Sequence, residues 1–202
     1  MQKTLIFCML LTFDLFSQNA DSSFAKGKQQ FEIGNYSKAL NDFKEVIIIK
    51  KDYPSVNYVA GLSEFNLKKY SSAIHFFDQE LQYNSSCINA YLYKAISYKK
   101  VQNYDAAMNV ITVALNKNSD NVLLILEKAN IYFEQKKYNK AITCYLKALS
   151  INENLQLAYY KLAFCEYYLK HNTRACEYWS KIEDPDDFEN YEIIVKICKQ
   201  TN

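Results

Sequence analysis

Few residues in this chain are suited to acid–base or nucleophilic chemistry. There are two histidines, His75 and His171, and a single arginine, Arg174. A histidine titrates near neutral pH and serves proton transfer, but it needs a positioned acid or nucleophile to do so. Neither histidine has one arranged beside it in sequence, and both read as surface residues, His75 on the outer side of a helix and His171 in a turn. Six cysteines are present. Cys8 falls in an apolar N-terminal run, and Phe7 before it argues against a lipidation site. Cys87, Cys144, Cys165, Cys176 and Cys198 follow without any CxxC pair, and the step from Cys165 to Cys176 fits no common zinc spacing. An odd number of cysteines in an exported chain leaves at least one thiol unpaired, while the three in the last third leave room for one bridge. No HExxH, GxSxG, glycine-rich phosphate loop or calcium loop occurs. The sequence therefore offers no catalytic, cofactor-binding or metal-ligating set, and the chain is read as not an enzyme. The reading from another class is a thiol-redox factor or enzyme that uses Cys165, Cys176 or Cys198.

Composition narrows the partners. The 202 residues carry 24 Lys and Arg against 22 Asp and Glu, a net charge of +2, which gives no basic excess for nucleic acid. Three glycines and two prolines leave little material for β-turns, so an all-helical chain is favoured. The excess is aromatic, with 18 Tyr and 12 Phe. Lys3 followed by the apolar run Leu5 to Phe13 and the stretch Ser17 to Ala20 has the parts of a secretory signal peptide, expected to span 1–17 and to end no later than 20. No later apolar segment is long enough to cross a bilayer, so no stable membrane span is expected once the signal is gone. The protein is expected to be exported, periplasmic or extracellular, and cytoplasmic if that segment is not a signal.

What must position everything else is a repeat. Ala39, Ala73, Ala107, Ala141 and Ala175 stand at one constant interval, with no insertion between any two of them. Tyr36, Tyr70, Tyr104 and Tyr138 precede the first four by three residues, Asn172 breaking the series. Gly27, Gly61, Ala95, Ala129 and Ala163 lie twelve residues before; Phe43, Phe77, Ile111, Tyr145 and Trp179 lie four after. These columns describe a helical hairpin. The small residues mark where two helices approach closely. The large residue shares a face with its alanine and fills the gap towards the next repeat. Short turns such as Gly34-Asn35 and Gln102-Asn103 join antiparallel helices. One hairpin cannot bury its apolar face alone, so neighbours must stack.

These residues resemble the tetratricopeptide repeat family, in an exported bacterial form, whose unit of about 34 residues equals the alanine interval and has small residues at positions 8 and 20. The third repeat matches through Tyr91, Ala95, Tyr98, Tyr104, Ala107, Ile111 and Ala114, the fourth through Ala129, Tyr132, Tyr138, Ala141, Tyr145 and Ala148. Elsewhere the pattern departs: Ser23 and Asn57 replace the first aromatic, Glu80 stands where a small residue is usual, and position 32 lacks its proline throughout. The resemblance implies an all-α superhelix, or solenoid, of five repeats (20–53, 54–87, 88–121, 122–155 and 156–187). After the break Asp184-Pro185-Asp186-Asp187, residues 188–202 are expected to form a capping helix.

The resemblance further implies a groove lined by the first helix of each repeat, holding a peptide segment or partner protein without catalysis. Carried over, its residues are Tyr58, Leu62, Asn66, Leu92, Ile96, Lys100, Asn130, Glu134, Tyr160, Phe164 and Tyr168. Phe65, Lys99, Leu126, Phe133 and Tyr167 share those positions, and Phe65, Leu126 and Phe133 serve equally as packing. Asn66 and Asn130 are expected to bond the backbone of an extended peptide. The carboxylate clamp that some of these proteins use on Hsp70 and Hsp90 tails needs a lysine where this chain has Phe24, Tyr58, Leu92, Leu126 and Tyr160, so that mode is rejected. An accessory subunit of an envelope or secretion complex is the alternative within the same class.

Overall fold

A computed structural model describes residues 18–183 and 191–201, and no strand occurs among them. The expected signal segment and the break at 184–187 lie outside the described residues. The chain is helical over 18–32 (α1), followed by α2 (Tyr36–Ile49), α3 (Val56–Asn66), α4 (Tyr70–Tyr83), α5 (Ile88–Lys100), α6 (Tyr104–Lys117), α7 (Val122–Glu134), α8 (Tyr138–Ile151), α9 (Gln156–Tyr168), α10 (Asn172–Trp179) and α11 (Tyr191–Thr201). It divides into two compact units, one ending at Asn103 and the other beginning at Tyr104. The division falls in the turn of the third repeat.

The column tyrosines Tyr36, Tyr70, Tyr104 and Tyr138, and Asn172 after them, each open the second helix of their repeat. The turn before them recurs with the same period. Gly34, Lys68, Gln102, Lys136 and Lys170 all take the left-handed backbone conformation, with φ of 80°, 61°, 61°, 58° and 66°. Each sits in a Schellman motif: Lys68 N–H donates to Phe65 O at 2.9 Å and Lys69 N–H to Glu64 O at 2.9 Å, and the other four repeat this pair of bonds. The motif satisfies the last carbonyls of the first helix and reverses the chain.

In the first unit, α2 packs on α3, α3 on α4 and α4 on α5. Its glycines explain the close approach. A Cβ built on Gly27 would lie 2.6 Å from the Phe43 ring, and one on Gly61 2.6 Å from the Phe77 ring. The large residue of each repeat therefore fills a notch in its own first helix. It also reaches the next repeat: Phe43 shares a core with Val56 and Ala60, and Phe77 with Ala90. In the second unit the small-residue column holds Ala129 and Ala163, and the large-residue column Tyr145 and Trp179.

In the second unit, α6 to α11 pack in succession, and α11 also touches α9. The expected cap is present as α11, whose Ile194 is fully buried against Tyr160, Phe164, Trp179 and Ile182. A disulfide between Cys176 and Cys198, Cα atoms 5.5 Å apart, ties α11 to α10. That is the one bridge the last third left room for.

Candidate functional site

In the first unit the candidate residues fall on α3 and α5. Tyr58 and Leu62 are half-buried and pack on the cluster around Phe77, together with Phe65 and Tyr93. Tyr93 gathers the rings, its centroid 5.4 Å from Phe65 and 6.3 Å from both Tyr58 and Phe77. Burial, with the nearby Tyr93, Cys87 and Glu80, pushes the Tyr58 phenol up to about 12. Leu92 and Ile96 are half-buried on α5, and Lys100 is exposed. Asn66 is exposed, but its Nδ2 donates to Leu62 O at 2.8 Å, within its own helix.

In the second unit α7 and α9 carry the candidates. Tyr160 and Phe164, expected in the groove, are only 8% and 5% exposed. The cause is the capping helix: Ile194 packs over these rings, whose centroids lie 4.9 Å apart. The open part of the face lies one turn further on. Tyr168 is half-exposed and stacks on Tyr138, with centroids 5.0 Å apart and planes 16° from parallel. Phe133, Phe164 and Tyr167 surround Tyr168 at 6.1, 6.2 and 5.3 Å. Lysines flank this aromatic surface, Lys161 Nζ 4.8 Å from the Phe133 centroid and Lys170 Nζ 5.5 Å from that of Tyr167. Burial raises the Tyr138 phenol. Tyr138 was legible as a helix start but not as a member of this surface, because it belongs to a second helix.

Asn130 does not present a free amide. It accepts from Tyr145 Oη at 2.7 Å and donates to Glu127 Oε2 at 3.3 Å, tying the core tyrosine to a buried carboxylate. Glu134 is exposed at the end of α7.

His171 corrects the sequence reading, which found no arranged acid beside it. Glu166, five residues earlier and almost fully buried, sets Oε2 2.7 Å from His171 Nδ1, and Arg174 approaches the same nitrogen at 2.9 Å. Arg174 also lies 3.5 Å from Glu166 Oε1. Arg174 thus brings a positive charge to a carboxylate that the fold has removed from water, and His171 Nδ1 sits within hydrogen-bond distance of both, a structural use of all three. The signal was an i, i+5 spacing across a helix end, which a helix-face search passes over. His75 is exposed, as expected.

The unpaired thiols are poorly suited to nucleophilic work. Burial pushes Cys165 up to about 12 and raises Cys87 and Cys144 above the usual thiol range. A nucleophilic cysteine needs the opposite shift. Cys176 and Cys198 are joined to each other. Among the described residues no three His, Cys, Asp or Glu gather as a metal-binding group, and no helix is long and apolar enough to cross a membrane.

A family model described as TPR repeat matches residues 129–165. Among curated proteins none matches the sequence. Solved structures do resemble the fold. MamA 41-end from Desulfovibrio magneticus RS-1 superposes with a TM-score of 0.74 at 18% identity, covering 91% of this chain and 97% of that one. YrrB, described as a TPR protein with an unusual peptide-binding site, gives 0.70 at 12% identity over 94% and 97%. The pilF protein of Pseudomonas aeruginosa gives 0.77 at 13% identity over 92% and 86%.

Proposed function

We propose that this chain, a tetratricopeptide repeat protein by its repeats and its fold, is an exported binding module that holds a segment of a partner protein against the first-helix faces of its repeats. The carrying observation is the half-exposed aromatic surface around Tyr168, stacked on Tyr138 and flanked by Lys161 and Lys170. Tyrosines offer large area with little rotamer entropy to lose, which makes them anchors in protein interfaces. The peptide-binding site in the description of YrrB, a protein of similar fold, agrees with such a use. Export is supported by the Cys176–Cys198 disulfide, since such bonds persist in oxidising compartments.

The experiment is a display selection of peptides on the immobilised full chain, followed by Tyr168→Ala and His75→Ala. Loss of an interface anchor costs about 2 kcal/mol, roughly thirtyfold in affinity. The selected peptides should weaken by that much with Tyr168→Ala and stay unchanged with His75→Ala on the outer side. Peptides indifferent to Tyr168→Ala but lost with His75→Ala would overturn the assignment.

A further inference from the structure

A second place in the first unit is built for a ligand of different chemistry. Where the loop 50–55 enters α3 beside the end of α4, a cavity of about 230 Å³ is lined by Asp52, Tyr53, Asn57, Glu80, Tyr83 and Asn84. Asn57 and Glu80 both depart from the repeat pattern. In the third repeat the same positions hold Tyr91 and Ala114, an aromatic and a small residue that are buried in the core. Here two polar side chains, 2% and 3% exposed, take their place in one wall.

The fold leaves Asn57 partly unused and holds Glu80 at a cost. Asn57 Nδ2 donates to Lys51 O at 3.4 Å, and its Oδ1, on the other side of the amide, has no hydrogen-bond partner among the described residues. Glu80 Oε2 accepts the Tyr58 N–H at 3.2 Å and so caps α3, whose own N-cap Ser55 makes no side-chain bond. Burial nevertheless raises the Glu80 carboxyl, and the Tyr58 N–H offsets only part of that burial. Buried acceptors without donors cost free energy that a donor-bearing cation would recover. Asp52, exposed at the mouth, adds a second carboxylate, and the rings of Tyr53 and Tyr83 supply walls of the kind that attract cations.

We propose that Asn57, Glu80 and Asp52 form a binding site for an alkylammonium group, the end of a lysine side chain presented by a partner protein. An ammonium brings three donors and one charge, which matches one amide oxygen and two carboxylates. A calcium ion wants six to eight oxygen ligands and would find too few. Asn57, Glu80 and Asp52 are not among the groove residues, and the site does not depend on that reading.

The test titrates Nα-acetyl-lysine N-methylamide into the full chain while backbone amide resonances are followed by NMR. Saturable shifts at Tyr58 and Asn57 are expected, and the norleucine analogue, identical in backbone but without the amine, should leave them in place. Asp52→Asn should weaken binding by up to about fivefold, as for an exposed charge pair. Glu80→Gln should weaken it by about tenfold or more while retaining an oxygen for Tyr58 N–H. Asp52 lies on an exposed loop, so its variant carries the test if Glu80→Gln disturbs folding. No saturable shift, an equal response to the norleucine analogue, or unchanged affinity in both variants overturns the proposal. Shifts of the same amides by calcium chloride alone at micromolar concentration would also overturn it, in favour of a metal site.

Discussion

The five left-handed turns make a quantitative test of the repeat architecture. Only Gly34 carries the residue that this conformation prefers; Lys68, Gln102, Lys136 and Lys170 hold φ between 58° and 66°. For an L-residue with a Cβ the left-handed region costs about 1–2 kcal/mol. Replacing it by glycine relieves that cost but frees the unfolded chain, a loss of about 0.5–1 kcal/mol. The net gain is about 0–1.5 kcal/mol per turn; at about 0.5 kcal/mol each, sites a full repeat apart should add, giving about 2 kcal/mol for four. For a chain of this size that corresponds to a rise of about 4–8 °C in the melting temperature. The assay is thermal unfolding by far-UV circular dichroism of Lys68→Gly, Gln102→Gly, Lys136→Gly and Lys170→Gly, singly and combined. Gly34→Ala is the reverse control and should lower the melting temperature. A combined variant no more stable than the parent, with Gly34→Ala neutral, would show that these turns are not held in the left-handed form and would refute the reasoning.

Four further outcomes follow from the same structure. Ala141→Trp, at a fully buried contact, should cost about 1–3 kcal/mol or more by overpacking, seen as a lowered urea midpoint; an unmoved midpoint would contradict the close approach of α7 and α8. Stability should fall at alkaline pH. Cys165 is raised from 9.0 to about 12 and Tyr53 and Tyr58 from 10.0 to about 12, so the folded state holds these protons more tightly. Their contribution is whole below about pH 9 and is lost as pH climbs towards 12, and urea midpoints at pH 8, 10 and 11 would reveal a flat profile if the burial is wrong. Opening the Cys176–Cys198 bridge, which spans 22 residues, should cost about 3 kcal/mol; a Cys176→Ala/Cys198→Ala chain as stable as the parent would show that α11 docks without it. Export should leave Gln18 as the first residue of the mature protein, because a cut after Ala20 would remove a side chain that is 1% exposed in the first core; mass spectrometry of secreted material decides between them.

The parts of the fold that were legible in sequence are those where one residue type has one job. The alanine, small and large columns translate directly into the notch of Gly61 under Phe77 and its counterpart at Gly27. The column tyrosines, which open four helices, were equally plain. The turn was only half legible: Gly34 announced it, but four of its five positions carry Lys or Gln, so the Schellman motif is enforced by hairpin packing rather than by local preference. The groove list mixed two environments for a tertiary reason. Tyr160 and Phe164 occupy groove positions by number, yet the helix that follows them buries both, and no rule about repeat positions says which neighbour the last repeat receives. Glu166 with His171 and Arg174 was hidden because its members flank a helix end.

The departures from the repeat pattern carry more information about function than the matches do. A match such as Ala107 or Tyr145 is accounted for by packing, and any sequence with this fold would need something like it. Asn57 and Glu80 are not needed by packing, since the third repeat fills the same two places with Tyr91 and Ala114 and buries both. They belong to different helices, yet the hairpin brings them to one wall, where Asn57 Oδ1 lacks a partner among the described residues and burial disfavours the Glu80 charge. A buried carboxylate that only served to cap α3 could be replaced by glutamine without loss. Glu80→Gln therefore separates the two uses: it should preserve the fold, or strengthen it by removing a buried charge, while weakening the ammonium site. A variant as stable as the parent and undiminished in amine binding would assign Glu80 to the cap alone.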